Sequence, residues 1–177
     1  MTPLSSLRRV AFWLRDLSLS VAIALVVILF LYQPVKVEGT SMMPALVDQE
    51  RVFINKFVYR LGIGEVERGD TVVFWYPADP TKSYIKRVIA LPGDFVELRE
   101  GTVYLNDRPL DEPYVPQEFR DHQNVARLQV PSGHYYVMGD HRSSSNDSRT
   151  WGPVPRGAIY GKAVFVYWPP DRMGSVP

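Results

Sequence analysis

Four polar-rich stretches stand out in the chain: GTSMMPAL at 39–46, RGDTVVFWYP at 68–77, SYIKRVIALPGD at 83–94 and MGDHRSSSNDSRTWG at 138–152. Two of them hold residues whose types suit a nucleophile and a base. Ser41 lies between Gly39-Thr40 and Met42-Met43-Pro44, where a strand gives way to a turn. Taken alone it reads first as an ordinary turn serine. Lys86 stands in a strand-forming run between Ile85 and Val88, and alternation puts Tyr84, Lys86 and Val88 on one face, with Ile85 and Arg87 on the other. One reading of such a lysine is an edge-strand charge that blocks aggregation. The other is chemical. Apolar neighbours strip water from the ammonium and push its pKa down, so the neutral amine can take a proton from a serine hydroxyl near pH 7. Serine-lysine pairs are a known variant of the nucleophile-base arrangement.

Composition removes several other chemistries. The chain has no cysteine, which excludes disulfides, zinc-thiolate sites and a cysteine nucleophile. Its three histidines, His122, His134 and His141, do not form an HxxxH or His-carboxylate cluster, so no metal and no other cofactor is expected. Twenty Lys+Arg against nineteen Asp+Glu leave a formal charge of +1, without the basic stripe of a nucleic-acid binder.

The elements that must position Ser41 and Lys86 fall into two kinds. Residues 17–32, LSLSVAIALVVILFLY, carry no charge and no proline. As a helix they rise about 24 Å, slightly short of the ~20 residues a bilayer asks for. Residues 11–14 can lengthen the run, with Arg15 snorkelling. Trp13 and Tyr32 mark its ends, and Gln33-Pro34 stops it. A retained membrane anchor is expected over 17–33. A cleaved signal peptide and a buried core helix are the alternatives, but no good small-residue cleavage site and no partner helices are found. Arg8, Arg9 and Arg15, against Asp16 alone, put residues 1–16 in the cytoplasm as a short basic N-terminus and residues 34–177 on the outer face of the cell membrane.

The rest reads as β. Val-, Ile-, Phe- and Tyr-rich segments near 35–40, 51–58, 70–76, 83–91, 94–98, 102–106, 126–130, 134–138 and 158–167 are separated by Gly, Pro and Asp turn signals. Residues 96–98 and 103–105 flank a tight turn at 99–101, a hairpin signature. The fold class expected is mainly β: an antiparallel sandwich or barrel preceded by one transmembrane helix. Residues 111–125 are polar and expected to be loop.

The four stretches, in this order behind an apolar anchor, resemble the conserved boxes of type I signal peptidases, over residues 33 to 168. The resemblance implies an antiparallel β catalytic domain and a membrane-bound serine endopeptidase that removes N-terminal signal peptides from exported preproteins after a small-x-small site. It implies Ser41 as nucleophile and Lys86 as general base. Ser145 is similar to the serine that hydrogen-bonds and orients the lysine. Asp147 and Arg149 resemble a supporting salt-bridged pair, with Arg87 nearby, while Asp140 and Arg142 look structural. The backbone N–H of Ser41 is an oxyanion donor. One branch of the family has a serine two residues before the nucleophile as the second donor; here Gly39 stands there, as in other members, and Thr40 is the candidate. His141 stands where many members carry Asn. By the same resemblance Val35, Val37, Leu46, Tyr84 and Ile85 line shallow substrate pockets, with plain core packing the alternative for each, and the substrate adds as a strand to the sheet edge. The implied partners are signal peptides, membrane lipid and, transiently, the secretion translocon, with no nucleic acid. The chain is short, so the large second β domain of some relatives is expected to be reduced or absent.

Two rival functions are distinguishable. A self-cleaving repressor of the LexA type shares a serine-lysine pair and a related β fold but needs a DNA-binding helix-turn-helix, which is not found. A non-catalytic, membrane-tethered peptide-binding β module predicts that Ser41→Ala leaves function intact.

Overall fold

The computed structural model describes residues 3–57 and 64–177. The chain opens with helix α1 (Pro3–Leu31). It starts well before 17 because nothing between Pro3 and Pro34 breaks a helix: the interval has neither Gly nor Pro, and Pro3 suits a first helical position. The expected basic segment 1–16 is therefore largely the first half of this helix. Side chains are described over residues 10–26, and the large apolar ones among them are exposed on every side, from Phe12 and Trp13 to Leu25 and Val26. A buried core helix is thereby ruled out for this stretch. The anchor expected over 17–33 falls, at 27–31, outside the residues whose side chains are described. Among the described residues, no helix is long and apolar enough to cross a membrane.

Beyond Leu31 the chain is antiparallel β. The strands are β1 (Tyr32–Lys36), β2 (Arg51–Asn55), β3 (Thr71–Tyr76), β4 (Asp79–Ala90), β5 (Phe95–Arg99), β6 (Thr102–Leu105), β7 (Arg108–Pro109), β8 (Val125–Gln129), β9 (His134–Met138), β10 (Val154–Pro155), β11 (Ile159–Trp168) and β12 (Gly174–Ser175), with a one-turn helix α2 (Ser148–Trp151). The main sheet runs β1-β2-β11-β3-β4-β9-β10, with β12 on β11; the second runs β7-β6-β5-β8. The expected strands are all present, within a few residues at their ends. Residue 58 of the second expected strand and the turn signal at Gly62 lie outside the described residues. The second sheet is small, with four strands.

Local chemistry explains the strands. Glu100 (φ 47°) and Gly101 (φ 77°) form the two-residue turn between β5 and β6, both in the left-handed region that such hairpins require. A side chain at Gly101 would also strike the Asp121 carbonyl. Strand β4 lies between β3 and β9 in the main sheet. Its first half is largely exposed and its last five residues, Lys86 to Ala90, are all buried. Val88 joins a cluster with Val72, Phe74 and Val137, Ile89 and Ala90 join one with Val96, Leu98 and Tyr136, and Ile85 packs on a third with Val37, Leu46, Val52 and Val73. Both faces of this strand are thus covered, which fixes the register that carries Lys86.

Candidate active site

Ser41 stands in the connection between β1 and β2. The connection is held as a compact turn. Gly39, at φ 92°, donates its N–H to Asp48 Oδ1 at 2.8 Å. Met43 N–H donates to the Thr40 carbonyl at 3.0 Å and Leu46 N–H to the Met42 carbonyl at 2.9 Å. Met42 and Leu46, 1% and 0% exposed, anchor the turn in the core. The Ser41 carbonyl accepts the His141 N–H at 3.0 Å. That leaves the Ser41 hydroxyl facing the cleft and its own N–H without a hydrogen-bond acceptor among the described residues.

Lys86 reaches the hydroxyl from β4: Nζ donates to Ser41 Oγ at 2.6 Å. Among the described residues no carboxylate makes an ion pair with the ammonium, which lies 5.6 Å from the centre of the Tyr84 ring. The side chain is 5% exposed, and this burial pushes its pKa down from 10.5 to about 8, against the raising influence of the Asp147 and Asp140 charges. Desolvation wins because those charges are spent on arginines.

The next residue along β4 behaves in the opposite way. Arg87 donates from Nε and NH2 to the two Asp140 oxygens at 2.8 and 2.7 Å, and from NH1 to the Gly69 carbonyl. Burial opposes its charge, but Asp140 outweighs it and holds the guanidinium above its ordinary pKa. Arg142 pairs with Glu112, which also accepts the Tyr114 hydroxyl. Arg149 grips Asp147 through Nε and NH2, both at 2.8 Å, pairs with Asp121, and donates to the Arg142 carbonyl. Burial opposes ionisation of Asp147, yet the hydrogen bonds and charge of Arg149 hold its carboxyl below the usual range. Asp147 Oδ2 in turn accepts the Gly139 N–H at 3.0 Å. Gly139 is needed where it stands: a side chain there would strike Ser145 Oγ and the Ser41 carbonyl.

The residues singled out from sequence are therefore mostly brought together, with exceptions. Val35, Val37, Tyr84 and Ile85 line a cleft of about 470 Å3 beside Ser41 and Lys86, while Leu46 does not; it lies wholly in the core beneath. Among the described residues the hydrogen bond expected from Ser145 to Lys86 is not found; Ser145 Oγ is buried, with the Asp147 carboxyl as its polar neighbour. Arg87 pairs with Asp140 and not with the Asp147–Arg149 pair. Thr40 is exposed, and its carbonyl accepts from Met43 and lies 3.3 Å from His141 Nδ1. Sequence reasoning missed Asn146, Ser83, Val52 and Val73 in the cleft, and Glu112 and Asp121 in its support. Asn146 had a signal, its place among three serines and an aspartate; the two carboxylates had none beyond a polar loop. Among the described residues there is no group of three or more His, Asp or Glu able to hold a metal ion.

The sequence model of the family described as signal peptidase, peptidase S26, matches residues 10–168. A signal peptidase I of Bacillus amyloliquefaciens is 39% identical over 89% of this chain and 84% of its own length. Signal peptidase I T of Bacillus subtilis is 36% identical over 91% of this chain and 86% of its own. A crystal structure of a signal peptidase I from Enterococcus faecalis, 32% identical, covers 55% of this chain and 96% of its own, with a TM-score of 0.49. The chain spans most of the length of these curated relatives, is matched over most of its own, and belongs to the signal peptidase family, peptidase S26.

Proposed function

We propose that this protein is a membrane-anchored serine endopeptidase that removes signal peptides from exported preproteins, with Ser41 as nucleophile and Lys86 as general base. The observation that carries this reading is the 2.6 Å contact between Lys86 Nζ and Ser41 Oγ, made by a lysine whose burial lowers its pKa to about 8. Once the amine is neutral the same contact reverses, with Oγ–H donating to Nζ. Oγ attacks the scissile carbonyl carbon as its proton passes to Lys86, and the oxyanion that forms finds the free N–H of Ser41. Lys86 then gives that proton to the departing amine as the C–N bond breaks, leaving an ester on Ser41. Water attacks the ester as its proton passes to Lys86, the bond from the acyl carbon to Oγ breaks, Lys86 returns that proton to Ser41 Oγ, and the product leaves as an acid that ionises to the carboxylate.

Substrate binding follows from the sheet. Strand β4 pairs with β9 only from Arg87 onward, so residues 83–86 keep an edge that no strand covers among the described residues. An extended peptide added along that edge meets the Val35, Val37 and Ile85 side chains of the cleft. Shallow apolar walls of this kind favour small residues and suit a small-x-small site.

Helix α1 supports anchoring. Its described apolar side chains have no protein to pack against, and the two serines in the run turn their hydroxyls back to the Leu14 and Asp16 carbonyls at 2.8 Å. A helix apolar all round, with its hydroxyls internally satisfied, fits lipid better than water. The arginines ahead of the run give a cytoplasmic N-terminus and a catalytic domain on the outer face, next to lipid and the translocon. The test is cleavage of a preprotein carrying a small-x-small site, in lipid or detergent, by wild type, Ser41→Ala and Lys86→Ala. The reading expects correct cleavage by the first alone. Unchanged cleavage by either variant would remove that residue from the mechanism, and no cleavage by folded wild type would favour a peptide-binding module.

A further inference from the structure

The connection that carries Ser41 closes on a single buried carboxylate. Glu50 is 2% exposed. Its Oε2 accepts the Val47 N–H at 3.0 Å, its own N–H donates to the Val47 carbonyl at 3.2 Å, and its carbonyl accepts the Val37 N–H at 2.7 Å. Both ends of the 37–50 connection are thereby tied to one residue, with Ser41 between them. The other oxygen, Oε1, accepts from Arg172 Nε at 2.7 Å. Arg172 comes from the turn that follows β11, and its NH2 also donates to the Pro44 carbonyl at 3.1 Å, three residues after the serine. It does not line the cleft, and it lies beyond residue 168, where the family match ends. An arginine suits this place because two nitrogens of its planar fork face two different acceptors, whereas a lysine presents one point charge.

We infer that Arg172 is a positioning residue, which acts through Glu50 and the Pro44 carbonyl to hold the 37–50 connection so that Ser41 Oγ stays against Lys86. The inference rests on the reading of Ser41 as nucleophile. Removing the guanidinium leaves the Glu50 carboxylate buried with one fewer donor, a condition a protein relieves by local rearrangement or by admitting water. The rearranged segment is the one that carries the nucleophile. Of the cleft walls, Val35 on β1 and Tyr84 and Ile85 on β4 lie outside the connection and only Val37 stands within it, at its first residue, so turnover falls far more than substrate binding does.

The experiment compares wild type, Arg172→Ala, Arg172→Lys and the double variant Glu50→Gln/Arg172→Ala in cleavage of one preprotein, with amide hydrogen exchange measured on each. The expected result for Arg172→Ala is a kcat lower by about ten- to a hundredfold, the size of effect a small misplacement of a reacting group produces, with KM within about twofold of wild type. Arg172→Lys falls between the two. The double variant is no worse than Arg172→Ala, because the two residues act as one unit. Exchange at the Val47 amide accelerates, while the amides of β3 and β9 keep their protection. Wild-type kcat and wild-type protection of Val47 in Arg172→Ala would overturn the inference, as would a loss of protection spread evenly over the domain. Ser41→Ala is run in parallel. Cleavage by that variant would overturn the nucleophile reading, while exchange at Val47 still decides whether Arg172 holds the connection.

Discussion

Two neighbouring cations on β4 live in opposite surroundings. Lys86 faces the cleft, buried against apolar walls, with a hydroxyl as its hydrogen-bond partner. Arg87 faces the layer behind, where Asp140 meets it through both oxygens and where Arg142–Glu112 and Arg149–Asp147 continue the ion pairs. Strand alternation alone separates them. The lesson is that burial has two uses for a positive charge. With a counter-ion it makes a fixed strut; without one it lowers the pKa of the amine, to about 8 for Lys86. The negative charges near Lys86 would abolish the second use if they were free, and the arginines prevent this by engaging them.

The largest effects should come from the cleft side. Ser41→Ala and Lys86→Ala lower kcat by at least about a thousandfold, as in other nucleophile-base pairs, and leave the far-ultraviolet circular dichroism unchanged. On the other side, Asp147→Asn leaves Arg149 buried with half its partner and frees the hold on Gly139. Breaking a buried pair from one end costs about 3–5 kcal/mol, readable by urea denaturation. Because the carboxyl of Asp147 is held below its ordinary pKa of 3.8, its contribution is present above that pH and lost as pH falls through the folded value.

The comparison also predicts a variant of opposite sign. The folded pKa of Lys86, about 8, lies below the ordinary 10.5, so between those values the unfolded chain binds a proton that the fold does not. The cost of burying Lys86 is therefore complete below pH 8 and fades as pH rises to 10.5. Lys86→Met stabilises the inactive protein at pH 7 by up to roughly 3 kcal/mol, a gain that urea denaturation should find gone at the alkaline end. Arg87→Met, one residue away, destabilises at neutral and alkaline pH, where the Asp140 carboxylate it leaves is charged and buried. The smallest effect belongs to the exposed pairs: Arg99→Ala, which removes the contact with Glu97, leaves the melting temperature within error of wild type.

Much of this arrangement was legible in the residues. Strand positions followed from β-branched and aromatic runs cut by turn signals, and the β5–β6 hairpin from Glu100-Gly101, because these preferences are local. Ser41 and Lys86 were legible as candidates through residue type and surroundings, and the alternation that sets Lys86 apart from Arg87 came directly from strand geometry. What was not legible is carried by distance in the chain. Glu112 and Asp121 sit in a polar loop that reads as solvent-exposed, and only the fold brings them to Arg142 and Arg149. Glu50 and Arg172 are 122 residues apart, and nothing local to either predicts the other. Leu46 was expected in the pocket by resemblance, with core packing the alternative, and the turn buries it in the core.

The claim at the centre is that Lys86 serves Ser41 as a neutral amine, and the pH dependence of kcat/KM for a preprotein or a signal-peptide substrate tests it most directly. A rate that rises with one ionisation near pH 8 and levels off beyond it is the predicted result. A rate still climbing through pH 10, at the pKa of an unburied lysine, would contradict it.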